Sequence, residues 1–145
     1  MTNVGEAPPL ARPAVVVDLS SLWAGPLCTR VLADLGATVI KVESDRRPDG
    51  ARRGPLAFFE RLHRGKRMVS LDLAGSELRE LLADADVVIE ASRARALRQL
   101  GIHAEELRPQ VWLSITGYGR EVDRVAFGDD AAAAVIVSDR GRGIL

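Results

Sequence analysis

Residues 15–43, VVVDLSSLWAGPLCTRVLADLGATVIKVE, decide the fold, because they read as one complete strand, turn, helix and strand. Val15, Val16 and Val17 lead into Asp18 and Leu19 without polar alternation, the pattern of a strand covered on both faces. A loop over 20–25 follows. Pro26 fits a first helical position, where its fixed φ suits the helix and its missing N–H would have had no partner. Leu27, Val31, Leu32 and Leu35 then fall on one side of the helix, which predicts its buried face. Gly36 stands where helices end in a left-handed residue, and Val39, Ile40 and Val42 make the second strand. Strand, helix and strand in so short a stretch imply a right-handed parallel crossover, hence an α/β domain.

That geometry carries chemistry. The start of the helix points out of the carboxyl edge of the sheet with unpaired N–H groups, where α/β proteins bind phosphorylated ligands. Glu43, closing the second strand, is in position to reach a ribose hydroxyl. A dinucleotide fingerprint would have three glycines here; Ala24, Pro26 and Thr29 surround a single Gly25, which leaves a plain packing helix as the alternative.

Beyond Glu43, residues 44–65 carry Arg46, Arg47, Arg52, Arg53, Arg61 and Arg64 among prolines and glycines, and read as a long irregular loop with one helical turn over 56–62. With Lys66 and Arg67 it forms a basic rim beside the phosphate edge, or else a solvated charged loop. Met68 to Leu73 alternates as a short strand. Ser76 is a candidate N-cap with Glu77 and Glu80 in the first turn, and Leu78, Leu81 and Leu82 face inward. Val87, Val88 and Ile89 form a buried strand closed by Glu90. A helix over 92–100 ends at Gly101, a short turn over 103–108 stops at Pro109, and 111–115 is the next strand. Gly117 and Gly119 in the turn after it would let backbone approach a ligand closely. Residues 129–137 predict a helix that is apolar all round, N-capped by Asp129 or Asp130. His63 and His103 read as surface or capping residues. The sheet has four or five parallel strands and no internal repeat.

The totals narrow the function classes. A chain of 145 residues forms a domain able to bury roughly two thirds of its unfolded surface. Twenty basic and twenty acidic residues cancel, so nothing global points to nucleic acid or an anionic membrane. Cys28, the single cysteine, excludes an internal disulfide and any cysteine metal spacing; it reads as a small buried hydrophobe in a cytoplasmic protein. No segment has the apolar run of a signal peptide or membrane span. Residues 1–13 read as a flexible tail and 14–145 as the domain.

Four blocks, AGPLCTRVLADLGATVIKVE, HRGKRMVSLDL, DADVVIEASRARALRQLGI and WLSITGYG, in that order, closely resemble the N-terminal region of the family III CoA-transferases, which include formyl-CoA and carnitine CoA-transferases and 2-methylacyl-CoA racemases. The resemblance covers about 15–119. It implies a Rossmann-like parallel sheet flanked by helices, the N-terminal part of a larger fold, holding coenzyme A or acyl-CoA without a metal. Carried over by position, the CoA contacts fall on Leu22 and Trp23, on Ser44, on Leu71, Asp72, Leu73 and Ala74, on Ala91, Ser92 and Arg93, on Gln99, and on Thr116, Gly117, Tyr118 and Gly119, with Arg64, Lys66 and Arg67 near the phosphates. Ala91 and Ser92 replace an Asn-Phe pair usual in the family, and Gln99 replaces a frequent Arg.

The implied activity is CoA transfer from an acyl-CoA to a carboxylic acid, or acyl-CoA racemisation, with this chain supplying the CoA-binding portion. The family's nucleophile is an Asp in a Gly-Asp stretch downstream of the glycine turn. Asp129 is a candidate for it, although its closeness to Gly119 better matches a noncatalytic segment, so the catalytic Asp is expected to lie outside this chain. The resemblance also implies a homodimer or a partner chain with the remaining domain. Two other readings stand beside it: a truncated, noncatalytic relative acting as a binding module or an inactive fragment, and an unrelated NAD-type domain using Gly25 and Glu43.

Overall fold

The computed structural model describes residues 12–107, 109–122, 124 and 132–137, the last six and Ala94 through their backbone alone. In chain order the elements are β1 (Val15–Asp18), α1 (Ala24–Asp34), β2 (Thr38–Ser44), a 3-10 turn (Gly50–Arg53), α2 (Leu56–His63), β3 (Arg67–Leu71) and α3 (Ser76–Ala83). There follow β4 (Val87–Glu90), α4 (Ala94–Gln99), α5 (Ala104–Leu107), β5 (Val111–Thr116) and β6 (Ala132–Val137). The strands form one sheet in the order β3-β2-β1-β4-β5-β6. Five run parallel, and β6 lies antiparallel on β5 with Thr116 opposite Ala132. The strand order reverses at β1, which pairs with β2 on one side and β4 on the other.

Alternation along the strands builds two layers. Val17, Ile40, Val42, Val88 and Trp112 point to the face covered by α3 through α5, where Leu78, Leu82, Ile102 and Ala104 complete one core. Val16, Val39 and Ile89 point the other way, toward Cys28, Leu32 and Ala33 of α1. Arg12 grips Asp86 with two hydrogen bonds, 2.7 and 3.0 Å, and the same carboxylate accepts the Val15 N–H at 2.8 Å, pinning the entry to β1.

The structure corrects the sequence expectations at several points. Pro26 is the third residue of α1, not the first, and lies against the sheet with Gly25 and Thr29. Leu27, Val31 and Leu35, expected to face inward, are exposed, because the side of α1 that meets β1 is small and polar; with Leu22 and Trp23 they leave apolar side chains in solvent along this helix. The stretch 44–65 is ordered by the 3-10 turn and α2, which packs on α1. Gly75, not Ser76, is the N-cap of α3, and Ser76 is its first helical residue. The helix expected over 129–137 is instead strand β6, from Ala132; Asp129, Asp130 and residues 1–11 of the expected tail lie outside the described residues. Gly36 (φ 96°) and Gly101 (φ 68°) adopt the left-handed helix ends expected of them.

Leu82 is fully buried against the larger core. Leu82→Ala is expected to lower the unfolding free energy by about 2–5 kcal/mol in urea titrations.

Candidate functional site

Parallel topology sends the carboxyl ends of β1 to β5 to one edge, and the expected ligand contacts follow it there. Leu22 and Trp23 follow β1 and precede α1; Ser44 ends β2 and pairs with Leu71, the last residue of β3. Asp72 accepts the Ala74 N–H at 3.0 Å and so shapes the turn after β3, while Arg46 approaches the same side chain at 4.0 Å. Ala91, Ser92 and Arg93 link β4 to α4. Glu90 accepts the Ser92 N–H at 2.7 Å. After β5, the Thr116 hydroxyl accepts the Gly119 N–H at 2.7 Å, Gly119 is left-handed (φ 86°), and the exposed Tyr118 ring lies under the Arg124 guanidinium at 4.6 Å.

A narrow cleft of about 20 Å³ opens between the ends of β4 and β5. It gathers Ser92, Arg93 and Thr116 of the expected contacts, and adds Glu90, Arg98, His103, Trp112 and Arg120, which sequence reasoning had not assigned to it. Gln99 does not line it, whereas its neighbour Arg98 does. Arg98 also meets Glu121 at 3.4 Å, and Arg120 meets Glu105 at 3.1 Å. Among the described residues the buried Trp112 Nε1 has no hydrogen-bond partner, which leaves an indole donor unsatisfied beside the cleft. A more open recess of about 600 Å³ along α2 is lined by Arg64, one of the residues expected near the phosphates, and by none of the other expected contacts.

On the α1 side the layer is held by charge. Asp18 accepts from the backbone N–H of Ser20 at 2.9 Å and from the hydroxyls of Ser20 and Thr29. Lys66 reaches in from the start of β3 to donate to Asp18 (3.2 Å), Thr29 Oγ1 (2.7 Å) and the Pro26 carbonyl (2.8 Å), with both charged side chains fully buried. Lys66 therefore does not belong to the expected basic rim, although Arg64 and Arg67 are exposed. Beside it, Lys41 of β2 pairs with Asp49 at 3.2 Å and donates to the Ser20 carbonyl. Asp49 accepts the N–H groups of Leu22 (3.0 Å) and Ala51 (2.9 Å). His63, expected at the surface, is buried between these pairs, with Nδ1 3.4 Å from the Lys66 ammonium and Nε2 3.8 Å from Asp49. Burial foremost, then the repulsion of Lys66 and Lys41, lowers its pKa to about 4, so it is neutral at pH 7. Burial likewise lowers Lys66, opposed by Asp18. For Asp49 burial pulls upward but is outweighed by its backbone donors and Lys41, so the carboxyl sits below its ordinary value. Cys28 is raised by burial and then by Asp18, which leaves it a protonated thiol.

Glu43 is committed elsewhere than to a ribose. It accepts from the Asp49 N–H at 3.0 Å and from two nitrogens of Arg52, at 2.7 Å for the shortest contact. Burial raises its pKa but Arg52 and the Asp49 N–H outweigh that and lower it. Among the described residues no group of three or more His, Cys, Asp or Glu is placed to hold a metal ion, and no helix is long and apolar enough to cross a membrane.

The strand order, five parallel strands flanked by helices and reversing at β1, defines a Rossmann-like α/β fold. A family model described as CoA-transferase family III matches residues 13–137, and the chain belongs to that family. It is 37% identical over 125 residues to a succinyl-CoA:mesaconate CoA-transferase of Haloarcula hispanica, covering 72% of this chain and 31% of that protein. It is 34% identical over 113 residues to the alpha-methylacyl-CoA racemase of Homo sapiens, covering 72% of this chain and 28% of the relative. The solved structure of a CAIB/BAIF family protein from Brucella suis superposes with a TM-score of 0.71 at 36% identity, over 80% of this chain and 36% of that one. The chain thus spans about a third of the length of the relatives it matches.

Two outcomes follow from the buried charges. Lys66→Ala, which strands Asp18, is expected to cost about 3–5 kcal/mol of stability, whereas the paired replacement Asp18→Leu with Lys66→Met should cost far less, both read by urea unfolding. Because the folded pKa of His63 lies below the unfolded value of 6.5, the unfolded state binds more protons between them. Stability should therefore fall as pH drops from 6.5 to about 4, by up to about 3 kcal/mol, and His63→Gln should flatten that slope.

Proposed function

We propose that this chain is the CoA-binding portion of a family III enzyme that transfers CoA from an acyl-CoA to a carboxylic acid, or racemises an acyl-CoA. The observation that carries the reading is the family match over residues 13–137, and beside it Ser92, Arg93 and Thr116 lie with two further arginines around a water-sized gap at the ends of β4 and β5. Guanidinium groups suit the phosphates of a CoA nucleotide, and an unsatisfied indole donor gains most from a polar ligand atom. The rim from Leu22 and Trp23 through Ser44, Leu71 to Ala74 and Ala91 then offers a surface along which an extended ligand would lie. The commitment of Glu43 to Arg52 weighs against the NAD reading, since that carboxylate is already doubly bonded.

The chemistry would come from a carboxylate that takes the acyl group and splits one exchange between thioester and acid into two easier steps. Asp18 and Asp49 are unsuited to that role, being buried and held by ammonium groups. In this reading the present chain binds and orients the CoA, and the nucleophile comes from sequence beyond the described residues.

Calorimetric titration tests the proposal. CoA is expected to bind saturably and NAD not at all; binding of NAD, or of neither by a folded sample, overturns it. Arg93→Ala is expected to weaken CoA by on the order of tenfold, about 1.4 kcal/mol, through loss of one charge-assisted contact.

A further inference from the structure

Leu22 is the one non-glycine residue with a left-handed backbone, φ 71°, among the described residues. An aliphatic residue adopts that conformation at a cost, and it persists only where the surroundings over-determine it. Here they do. The Leu22 N–H donates to Asp49 Oδ1 at 3.0 Å, and two residues earlier the Ser20 carbonyl is held by Lys41. Lys41 and Asp49 are themselves an ion pair at 3.2 Å, with 1% and 0% of their side chains exposed. The Leu22 side chain crosses Gly50 so closely that a Cβ there would stand 2.9 Å from Leu22 Cδ2. Yet what this buried machinery holds is not core: Leu22 is 58% exposed and Trp23 60%. Two buried charges and a strained residue fix a loop whose large apolar side chains stand in solvent.

We infer that the Lys41–Asp49 pair is a latch that pre-orders the β1–α1 loop, presenting Leu22 and Trp23 as a rigid apolar wall against which the acyl-CoA ligand packs. This rests on the function proposed above and assigns Lys41, Asp49 and Gly50 as positioning residues that act through Leu22 and Trp23. The gain is entropic: a wall ordered before binding does not have to be ordered by the ligand. Leu22 and Trp23 sit at the strand-order reversal beside β1, where an α/β ligand lies, which is why their rigidity matters for binding.

The test combines a readout that needs no ligand with one that does. Lys41→Met with Asp49→Leu removes both ties while replacing the ion pair by apolar groups, a change that buried pairs generally tolerate. It is expected to speed hydrogen exchange of the Leu22 amide at least tenfold relative to amides of β4, and to weaken CoA binding about tenfold. Gly50→Ala touches no charge, so it remains informative if the double variant fails to fold. It should displace Leu22 and weaken CoA severalfold while the melting temperature stays within a few degrees of the parent. Faster Leu22 exchange with unchanged CoA affinity overturns the positioning role, and unchanged exchange overturns the latch itself. If the parent chain binds no CoA, the functional reading falls on its own, and Leu22 exchange in the double variant still decides for or against the latch.

Discussion

The contact between Asp18 and Lys66 is the constraint on which the α1 side of this molecule depends. A carboxylate at the end of a central strand, with none of its side chain exposed, is tolerable only if its charge is matched and its lone pairs are filled. The ammonium of Lys66, the hydroxyls of Ser20 and Thr29 and the Ser20 N–H do both. Lys41 and Asp49 repeat the arrangement a few ångströms along, and with His63 neutral the two anions and two cations cancel. The face of α1 toward the sheet is shaped by this requirement. Gly25 lies so near Ser20 that a Cβ would meet its hydroxyl at 2.1 Å, and Thr29 offers a hydroxyl where a larger apolar residue would strand the charges.

The two sides of the sheet accordingly have different physics. The α3–α5 side is a conventional apolar core in which Leu78, Leu82, Val88 and Trp112 exclude water. On the α1 side the apolar cluster of Val16, Val39 and Ile89 gives way to buried ions. Apolar packing is forgiving of small displacements, whereas paired buried charges demand fixed distances. The side held by ions is the one that carries the β1–α1 loop, and the apolar side carries the cleft between β4 and β5.

Much of the fold was legible because it was written in local patterns. The unbroken Val15–Val17 run, the strand ended by Glu90 and the glycines Gly36 and Gly101 all mean in the structure what they mean in the sequence. The four family-like blocks pointed to segments that follow β1 through β5 in the structure. What was not legible depended on partners far away in the chain. Leu27, Val31 and Leu35 have the spacing of a buried stripe, and only the charges beneath α1 explain why the helix turns them outward. His63 and Lys66 look like ordinary members of a basic, soluble stretch until β3 carries them against Asp18 and Asp49. Residues 132–137 lack charge and so fit a buried helix or a strand equally well; pairing with β5 decided it. The cleft residues Arg98 and Arg120 carried no signal apart from their charge, since α5 and β5 lie between them in the chain.

The order in which this chain can become native is also set by Asp18. The β1–α1–β2 unit is complete by residue 44, and during synthesis it would be the first piece available to fold. It cannot settle by itself. Its helix offers the sheet little apolar surface, and the ammonium that neutralises Asp18 arrives 48 residues later with β3. The second neighbour of β1 is β4, later still. The segment that most plainly announces the fold is therefore one of the last to be locked. Nascent chains that stop short of Lys66 would hold an unpaired carboxylate at the centre of a half-built sheet, a state that resists premature collapse until the rest of the domain has emerged.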